Sequence, residues 1–441
     1  MKIFVKIVWV LLSVILFQNT ANSQQISNLS LEDAVSIALK QNFDIQISKK
    51  SLEAAQINNT WGAAGMFPSI NLGVGQNNRW DNQPSQVTDD RQNSFSSGAR
   101  PYVQMQWMLF NGFSVYIAKD KLALLEEYSE GNMAVVVENK IQAVILSYHQ
   151  NQRNIEKLNS IDKVKKLSRD RYFYEQTKKQ FGSSGSYDVL QSKDAYLSDS
   201  TNFLMQSLEL KKSQLNLNLL MGVDKDAVFD LTSAFEATVE DYQYFDLEEK
   251  MNTNNTTLQN QYINQEILKK DIGLAKAIVW PNLSLNTGAD YNNNYMKYEN
   301  LDANNSYSYD FYVNFSLNFN LFNGGKTHRA IQQAHIQQEI GDVQIEQIKQ
   351  ILSNGLLTVY EMYEVRKQLL SVANARLETA QLNLDLSTEK FRNGTINSFN
   401  FRDVQIQYIN AEFSQLEAVY NLIDSHTELL RITGGIISEF E

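Results

Sequence analysis

The sequence predicts an α+β membrane protein in which one structural unit occurs twice. Three glycines each recur 212 positions later, as the pairs Gly112 and Gly324, Gly182 and Gly394, and Gly222 and Gly434. Long stretches without proline carry apolar residues at helical spacing, whereas shorter stretches alternate apolar and polar residues as strands do. We therefore predict an internal two-fold repeat, in which each copy contains two transmembrane strands and a hairpin of two long coiled-coil helices.

Residues 1–23 have the features of a cleaved signal peptide. Lys2 and Lys6 precede the apolar stretch 7–17, and the small residues at 21–23 suit cleavage by signal peptidase. We therefore expect the chain to be exported. No later run approaches the roughly 20 apolar residues that a spanning helix requires, so any insertion into a membrane must use strands.

The composition excludes several classes of protein. The chain has no cysteine, which excludes a disulfide scaffold, a thiolate metal site and a lipidated cysteine anchor. Its net charge of -11 argues against nucleic-acid binding. The four histidines show no metal-ligand spacing, and phosphate-loop and nucleophile-elbow motifs are absent. We therefore expect no enzyme activity and no cofactor.

The first repeat, residues 24–222, begins with a helix and continues with two predicted strands. The strands occupy 69–80 and 98–110, and the polar segment 81–94 should be an exposed loop. Apolar residues alternate along both strands, at Ile70, Leu72, Val74, Val103, Met105, Trp107 and Leu109. This alternation predicts a strand hairpin with one apolar face.

A helical hairpin completes the first repeat, with a long helix over 112–181 and a return helix over 186–221. The long helix contains no proline and has Gly131 as the only glycine in its interior, so it should extend roughly 105 Å. Leucines at heptad-like spacing mark the return helix, at Leu190, Leu197, Leu204, Leu208, Leu215 and Leu219. The two helices should therefore pack as an antiparallel coiled coil on either side of the turn 182–185.

The second repeat, residues 259–435, follows the same plan. Its predicted elements are a helix, strands over 282–292 and 306–322, a long helix over 324–392 and a return helix over 398–432. The alternation from Tyr307 to Phe322 is unbroken, and a strand of this length can cross a membrane at a tilt. The polar segment 292–306 should be a loop, and Asn393-Gly394 should form the helical turn.

The predicted strands carry aromatic residues near their ends. These residues are Phe67, Trp80, Phe110, Trp280, Tyr295, Tyr307 and Phe322. Helical stripes alone are equally compatible with a filamentous coiled coil, but aromatic girdles beside long strands favour a membrane barrel. Four strands cannot close a barrel, and open edges are not tolerated in lipid. Three chains would supply twelve strands around a lumen, so we expect a homotrimer.

Four motifs occur in the order found in one known family. They are 29–42 (LSLEDAVSIALKQN), 67–70 (FPSI), 109–113 (LFNGF) and Gly182 followed by 188–191 (DVLQ). Together they resemble the TolC-like outer-membrane efflux proteins. The resemblance implies a twelve-stranded β-barrel in outer-membrane lipid and a periplasmic twelve-helix α-barrel, with 223–258 as an equatorial insertion and 436–441 as a short tail.

The same resemblance implies a passive duct in a tripartite efflux or type I secretion system. Such a duct exports small molecules, metal ions or polypeptides, and it contacts an inner-membrane pump through a periplasmic adaptor. The alternative is a periplasmic coiled-coil adaptor or structural protein whose strands form a soluble domain. An adaptor would carry a single hairpin, whereas this chain has two hairpins and two long strand pairs.

In the family, acidic residues after the second hairpin tip narrow the periplasmic entrance. The matching positions are Asn400 and Asp403, so we expect a single acidic ring and weaker cation selectivity. Arg402 is expected to offset part of this field. Asp188 matches Asn400 in the first repeat, but its place in the first turn of a helix also suits a purely structural role.

The hairpin tips are the expected docking region for an adaptor. Gly182, Gly185, Asn393 and Gly394 provide tight turns, and the glycines would also leave room for adaptor helices. Phe391 stands where relatives carry a polar latch residue, and it has no hydroxyl group. Either Phe391 packs in the helical seam, or closure depends on other contacts.

Overall fold

The computed structural model describes residues 27–84, 91–299 and 302–439. The predicted signal peptide, parts of both strand loops and the end of the predicted tail lie outside these ranges. The chain divides into two compact units. The hairpin unit comprises Met1–Ile47, Val135–Asn255 and Leu352–Glu441, and the sheet unit comprises Ser48–Ala134 and Thr256–Ile351. No helix in the described ranges is both long enough and apolar enough to cross a membrane.

The helices and the long strands follow one another in pairs. In chain order they are β1 (Ser27–Leu29), α1 (Leu31–Gln41), α2 (Phe43–Asn58), β2 (Ser69–Pro84), β3 (Arg91–Asn111), α3 (Ser114–Gln180), α4 (Ser186–Met221), β4 (Phe229–Leu231), α5 (Tyr244–Asn254), α6 (Thr256–Ala277), β5 (Asn282–Tyr298), β6 (Asn304–Asn318), α7 (Lys326–Arg392) and α8 (Ser398–Ile432). The long helices α3 and α7 each contain 67 residues.

The sheet unit contains a four-stranded antiparallel sheet in the order β2-β3-β5-β6. Its register places the residues Leu72, Val103, Ala289 and Phe311 in one row across all four strands. The adjacent row contains Gly73, Tyr102, Asp290 and Asp310. Because neighbouring residues of a strand point to opposite faces, one face of the sheet is apolar and the other is polar.

The strands extend further into the polar loops than the alternation predicts. β2 continues to Pro84 and β3 begins at Arg91, so most of the predicted loop 81–94 is strand. Amide and hydroxyl side chains bond across this pair; for example, Asn82 donates to Asn93 at 2.7 Å. Cross-strand hydrogen bonds of this kind stabilise a sheet without apolar residues, which is why the polar composition was misleading.

The second strand pair shows two differences from the prediction. β5 continues to Tyr298 and β6 begins at Asn304, which leaves a shorter loop than the predicted 292–306. β6 ends at Asn318 rather than at 322, opposite the first residue of β5. Pro281, which precedes β5, has no N–H to donate, so the ladder stops there although the alternation of β6 continues.

A β-bulge changes the register of β3 near its end. Met108 pairs with Ser284 and Phe110 pairs with Leu283, so Leu109 is the extra residue. A one-residue shift exchanges the two faces of a strand. The apolar alternation of β3 is therefore continued by Phe110 rather than by Leu109.

Glycines in left-handed conformation determine where the long helices begin. Gly112 and Phe113 have φ of 65° and 67°, so α3 begins at Ser114 rather than at the predicted 112. Gly324 and Gly325 have φ of 68° and 76°, so α7 begins at Lys326. Residues with positive φ cannot belong to a right-handed helix.

The hairpin unit has an apolar core built from α1, α3, α4 and α8. Its buried side chains include Ala34, Val35, Ile141, Val144, Tyr148, Leu217, Met221, Val419 and Ile423. Two asparagines at matching places in the sequence bond to the ends of the return helices. Asn42 Nδ2 donates to a carbonyl in the last turn of α4 at 2.8 Å. Asn255 Nδ2 donates to a carbonyl in the last turn of α8 at 2.9 Å. The same contact thus occurs at matching places in the two predicted repeats.

Tyrosine hydroxyl groups hold part of the predicted insertion 223–258 against the helices. Strand β4 pairs in parallel with β1, and the hydroxyl of Tyr148 donates to Leu29 O at 2.8 Å and accepts from Ser233 N at 3.2 Å. The hydroxyl of Tyr363 accepts from Glu240 N at 2.8 Å. These bonds satisfy backbone groups of a segment that is otherwise mostly irregular.

Candidate functional site at the helical hairpin tips

Both hairpin tips lie within the hairpin unit, and their turns are formed by glycine. Gly182 and Gly394 each have φ of 73°, which ends α3 and α7 in the left-handed conformation that glycine adopts most readily. A Cβ on either residue would have no heavy atom within 4 Å. The tips therefore need glycine for its backbone conformation, and the space beside both glycines is open.

Asp188 serves as a helix cap. Its Oδ2 accepts a hydrogen bond from Gly185 N at 3.3 Å, across the start of α4. A carboxylate in the first turn also interacts favourably with the exposed amide groups there. The structure thus supports the purely structural role of Asp188.

Asn400 and Asp403 are both exposed near the start of α8. Asn400 N donates to Asn397 Oδ1 at 2.8 Å, and Asp403 Oδ2 accepts from Gln407 Nε2 at 2.7 Å. The bond to Asp403 comes from a neutral amide at i+4 of its own helix, so this contact leaves the negative charge of the carboxylate in place. Its role in selectivity stays a prediction.

Arg402 forms its ion pair with Asp199 and not with its sequence neighbour Asp403. Its guanidinium donates to Asp199 through Nη1 at 2.7 Å and through Nη2 at 2.6 Å, and it also donates to Ser168 Oγ at 3.3 Å. The Asp199 side chain is only 6 % exposed. This bidentate ion pair neutralises the positive charge of Arg402 at Asp199. Arg402 therefore offsets the field of Asp403 much less than the sequence suggested.

Phe391 packs in the helical seam. Its ring stacks on Phe401 with centroids 4.7 Å apart and planes 6° apart, and it meets Tyr174 edge-on at 5.6 Å. This cluster joins α3, α7 and α8. Of the two possibilities for Phe391, the structure supports packing, and the polar contact between hairpins is supplied by Arg402 and Asp199.

Two further charged residues near the tips are buried. Glu175 accepts a hydrogen bond from Ser184 Oγ at 2.7 Å. Arg171 donates through Nη1 to Ser398 O at 3.1 Å, and burial lowers the pKa of its guanidinium to about 10. Arg171 therefore keeps its positive charge at neutral pH although it is removed from water.

Sequence reasoning missed these residues because it searched the seam only for apolar side chains. Buried residues of α3 follow at steps of three and four, at Ile161, Val164, Ser168, Arg171 and Glu175. The same spacing in α8 includes Phe401, Gln405 and Tyr408. Polar residues at seam positions were the available signal, because a coiled coil uses them to specify its partner.

In the sheet unit, the aromatic residues predicted for membrane contact lie mostly exposed. Phe67, Trp80, Trp280 and Tyr307 are exposed, while Phe110 is partly covered and meets Phe113 edge-on at 5.3 Å. Phe322 is exposed but lies beyond the end of β6. Trp80 and Tyr295 both approach Phe95, with ring centroids 4.8 and 6.2 Å away. The exposed aromatic surface therefore extends across three strands.

The described residues contain no group of three or more His, Asp or Glu side chains placed to hold a metal ion. Polar contacts at the tips are instead ion pairs, caps and buried amides. The arrangement can hold two helical hairpins together and can present the exposed carboxylate of Asp403 near the tip.

Comparison with known families gives one match. Residues 248–435, which include the whole predicted second repeat, match the model of the family described as outer membrane efflux protein. This segment of the chain is similar to outer membrane efflux proteins. No curated protein matches the sequence of this chain significantly.

Solved structures share the fold of this chain. A membrane protein from Pseudomonas aeruginosa has a TM-score of 0.73 at 16% identity, with 92% of this chain and 93% of that chain covered. CusC has a TM-score of 0.71 at 16% identity, with 95% of each chain covered. The CmeC outer membrane channel of Campylobacter jejuni has a TM-score of 0.69 at 16% identity, with 92% and 85% covered.

Proposed function

We propose that the protein is the outer-membrane channel of a tripartite efflux or type I secretion system. In this role it is a passive homotrimeric exit duct for small molecules, metal ions or polypeptides. The energy comes from an inner-membrane pump, which the duct meets through a periplasmic adaptor. The observation that carries the proposal is the two-faced sheet with its two open edges.

The apolar face of the sheet has the character of a lipid-facing surface. Along β6 it exposes Tyr307, Tyr309, Phe311, Val313, Phe315 and Leu317, and Phe311 is 80% exposed. An apolar strand face of this length in water would promote aggregation. In a bilayer, the same face is stabilised by contact with lipid, which supports a location in the outer membrane.

The opposite face of the sheet supports a wet lumen. Arg100 donates to Asp290 at 2.5 Å on this face, and Asp310 accepts from Asn292 at 2.7 Å. Charged and amide side chains in such rows would be unstable in lipid, but they are well solvated in a water-filled channel. The polar face therefore belongs on the inside of a barrel.

Within the described residues, β2 and β6 each pair with only one neighbouring strand. Their outer edges carry N–H and C=O groups that need partners, because lipid cannot provide hydrogen bonds. Pairing of β2 with β6 of the next copy closes the sheet, and three copies form a twelve-stranded barrel. Eight strands from a dimer would leave an interior filled by side chains.

The helical hairpins would form the periplasmic part of the duct. Three chains contribute twelve long helices to an α-barrel, whose tips form the entrance and meet the adaptor. One ring of Asp403 carboxylates faces that entrance and favours cations. The signal peptide over 1–23 directs export to this location.

Conductance and assembly test the proposal directly. The purified protein in detergent should have the mass of three chains, and after insertion it should form ion-conducting pores in a planar lipid bilayer. A monomer that remains in solution without detergent and produces no conductance would favour the periplasmic adaptor instead. The double variant Phe311→Asp and Phe315→Asp tests the lipid-facing surface. It should fold poorly in lipid because it places charges on the outer face.

A further inference from the structure

A small pocket lies between the two helical hairpins near their tips. Its volume is about 230 Å³. The walls are formed by Leu167 and Tyr174 of α3, Phe391 of α7 and Phe401 of α8. The stacked rings of Phe391 and Phe401 make one wall flat and rigid. The pocket thus offers apolar and aromatic surface to a ligand of limited size.

Arg171 brings an incompletely bonded positive charge to this pocket. The residue is only 3% exposed and lines the pocket. Its Nη1 donates to Ser398 O, but its Nε is buried and has no hydrogen-bond partner among the residues that the structure describes. Buried donors are rarely left without an acceptor, because the loss of hydration is not compensated.

The nearby carboxylates are already engaged by other groups. Asp199 holds Arg402 through two hydrogen bonds, and Glu175 accepts from Ser184. Arg171 forms no ion pair with any residue that the structure describes. An acceptor from outside the chain would therefore complete the site.

The chemistry of the pocket selects among possible ligands. A guanidinium can bind a planar carboxylate through two parallel hydrogen bonds. The apolar walls require an apolar body on that carboxylate. Arg171 and Arg392 contribute two positive charges to the lining and Asp170 contributes one negative charge, so the lining has a net charge of +1 and matches a ligand with one negative charge.

We propose that this pocket binds a small monocarboxylate with an aromatic or branched apolar body. Its carboxylate pairs with Arg171, and its body lies against Phe391 and Phe401. Because the walls come from both hairpins, the bound ligand holds the hairpins together near the tips. This inference goes beyond the exit-duct function, and binding can be measured whether or not the protein conducts ions.

The test uses the full-length protein in detergent and the probe 4-fluorobenzoate, followed by ¹⁹F NMR titration. The neutral 4-fluorobenzamide and the cationic 4-fluorobenzylamine have nearly the same body without the negative charge. Loss of a charged hydrogen bond should weaken binding about tenfold or more, so both compounds should bind correspondingly less tightly than the carboxylate. Equal binding of the three probes, or no binding of 4-fluorobenzoate at millimolar concentration, overturns the proposal.

Variants locate the binding to this pocket. Arg171→Gln should weaken binding of 4-fluorobenzoate about tenfold or more, because it removes the charge. Thr388→Trp should abolish binding by filling the pocket while it leaves Arg171 in place. Arg376→Gln, at an exposed arginine of α7 outside the pocket, is the matched control and should bind as the unmodified protein does.

The two pocket variants fail in different ways if the proposal is wrong. Should Arg171→Gln not fold, as judged by circular dichroism, Thr388→Trp alone decides. Unchanged affinity in Thr388→Trp overturns the assignment of the pocket, and unchanged affinity in a folded Arg171→Gln overturns the role of the guanidinium. Conductance of the unmodified protein is measured separately, so failure of the duct function is distinguished from failure of this site.

Discussion

Arg402 of α8 holds Asp199 of α4 through two hydrogen bonds of 2.6 and 2.7 Å. The two residues belong to different helical hairpins and to different predicted repeats of the chain. Ser168 of α3 also contacts both side chains, so three helices meet at one ion pair. A polar contact at this place specifies which helices pack together near the tips.

Removal of one member of this pair should destabilise the tips. Asp199→Asn leaves the half-buried Arg402 without its counter-charge. We expect the free energy of unfolding to fall by roughly 2–4 kcal/mol, near or below the usual range for buried pairs. The Arg402 side chain is still 19% exposed, which reduces the loss. Hydrogen exchange of amide groups in the last turns of α3 and the first turns of α8 should become faster.

The double replacement tests whether the loss comes from the unpaired charge. Asp199→Leu combined with Arg402→Met removes both charges. The amide exchange of this double variant should be closer to that of the unmodified protein than the exchange of Asp199→Asn is. Asp194→Asn, at an exposed position of the same helix, is the matched control. Equal exchange in Asp194→Asn and Asp199→Asn would contradict a special role of the pair.

Substitutions at the proposed entrance should change ion selectivity. Asp403→Asn removes the single carboxylate ring and should lower the preference for cations, while Asn400→Asp should raise it by adding a second ring. Reversal potentials in asymmetric potassium chloride across a planar bilayer measure this preference. Asp188→Asn should have little effect on selectivity, because that carboxylate caps a helix, and an equal shift in Asp188→Asn would contradict this separation of roles.

Glycine replacements should differ according to the space beside each glycine. Gly182 and Gly222 have nearly the same φ, 73° and 72°, so alanine at either should cost about 1–2 kcal/mol of backbone strain. A Cβ on Gly222 would also lie 2.3 Å from Gln41 O, whereas Gly182 has open space. Overpacking should cost Gly222→Ala about 1–3 kcal/mol of unfolding free energy beyond the strain, so we expect its unfolding temperature to fall more than that of Gly182→Ala. Equal melting temperatures would show that the backbone near Gln41 moves easily.

The hairpin unit should lose stability in mild acid because of the buried His149 and the half-buried His426. His149 Nδ1 lies 2.8 Å from Gln152 Oε1, and His426 Nε2 lies 2.8 Å from the hydroxyl of Tyr242. Burial lowers the pKa of both imidazoles in the folded protein, although nearby Glu240 and Glu439 partly oppose this at His426. The folded state therefore favours neutral histidine.

The sign of the effect follows from proton binding. The unfolded chain binds protons below the ordinary histidine pKa of about 6.5, whereas the folded chain binds them only at lower pH. The stabilising contribution is complete above about pH 6.5 and is lost as the pH falls through the lower folded pKa. Thermal unfolding between pH 7.5 and 5 should show the decrease, and His149→Gln together with His426→Gln should reduce it. An unchanged pH dependence in that double variant would assign the effect to other groups.

Local sequence patterns determined the elements of this protein. The heptad spacing of α3, α4, α7 and α8 and the alternation of β2, β3, β5 and β6 depend on which face of an element is apolar, and that is visible in a single segment. The turns at Gly182 and Gly394 were also predictable, because positive φ favours glycine wherever it occurs.

Only the tertiary structure decided which polar residues meet. Strand ends depended on partners, as β6 stops opposite the residue that follows Pro281, and β2 and β3 extend through polar side chains that bond to each other. The contact between Asp199 and Arg402, the stacking of Phe391 on Phe401 and the pocket beside Arg171 join separate helices. A periodic pattern reveals the buried face of a helix but not its partner, because the partner is chosen by packing between segments that are distant in the chain.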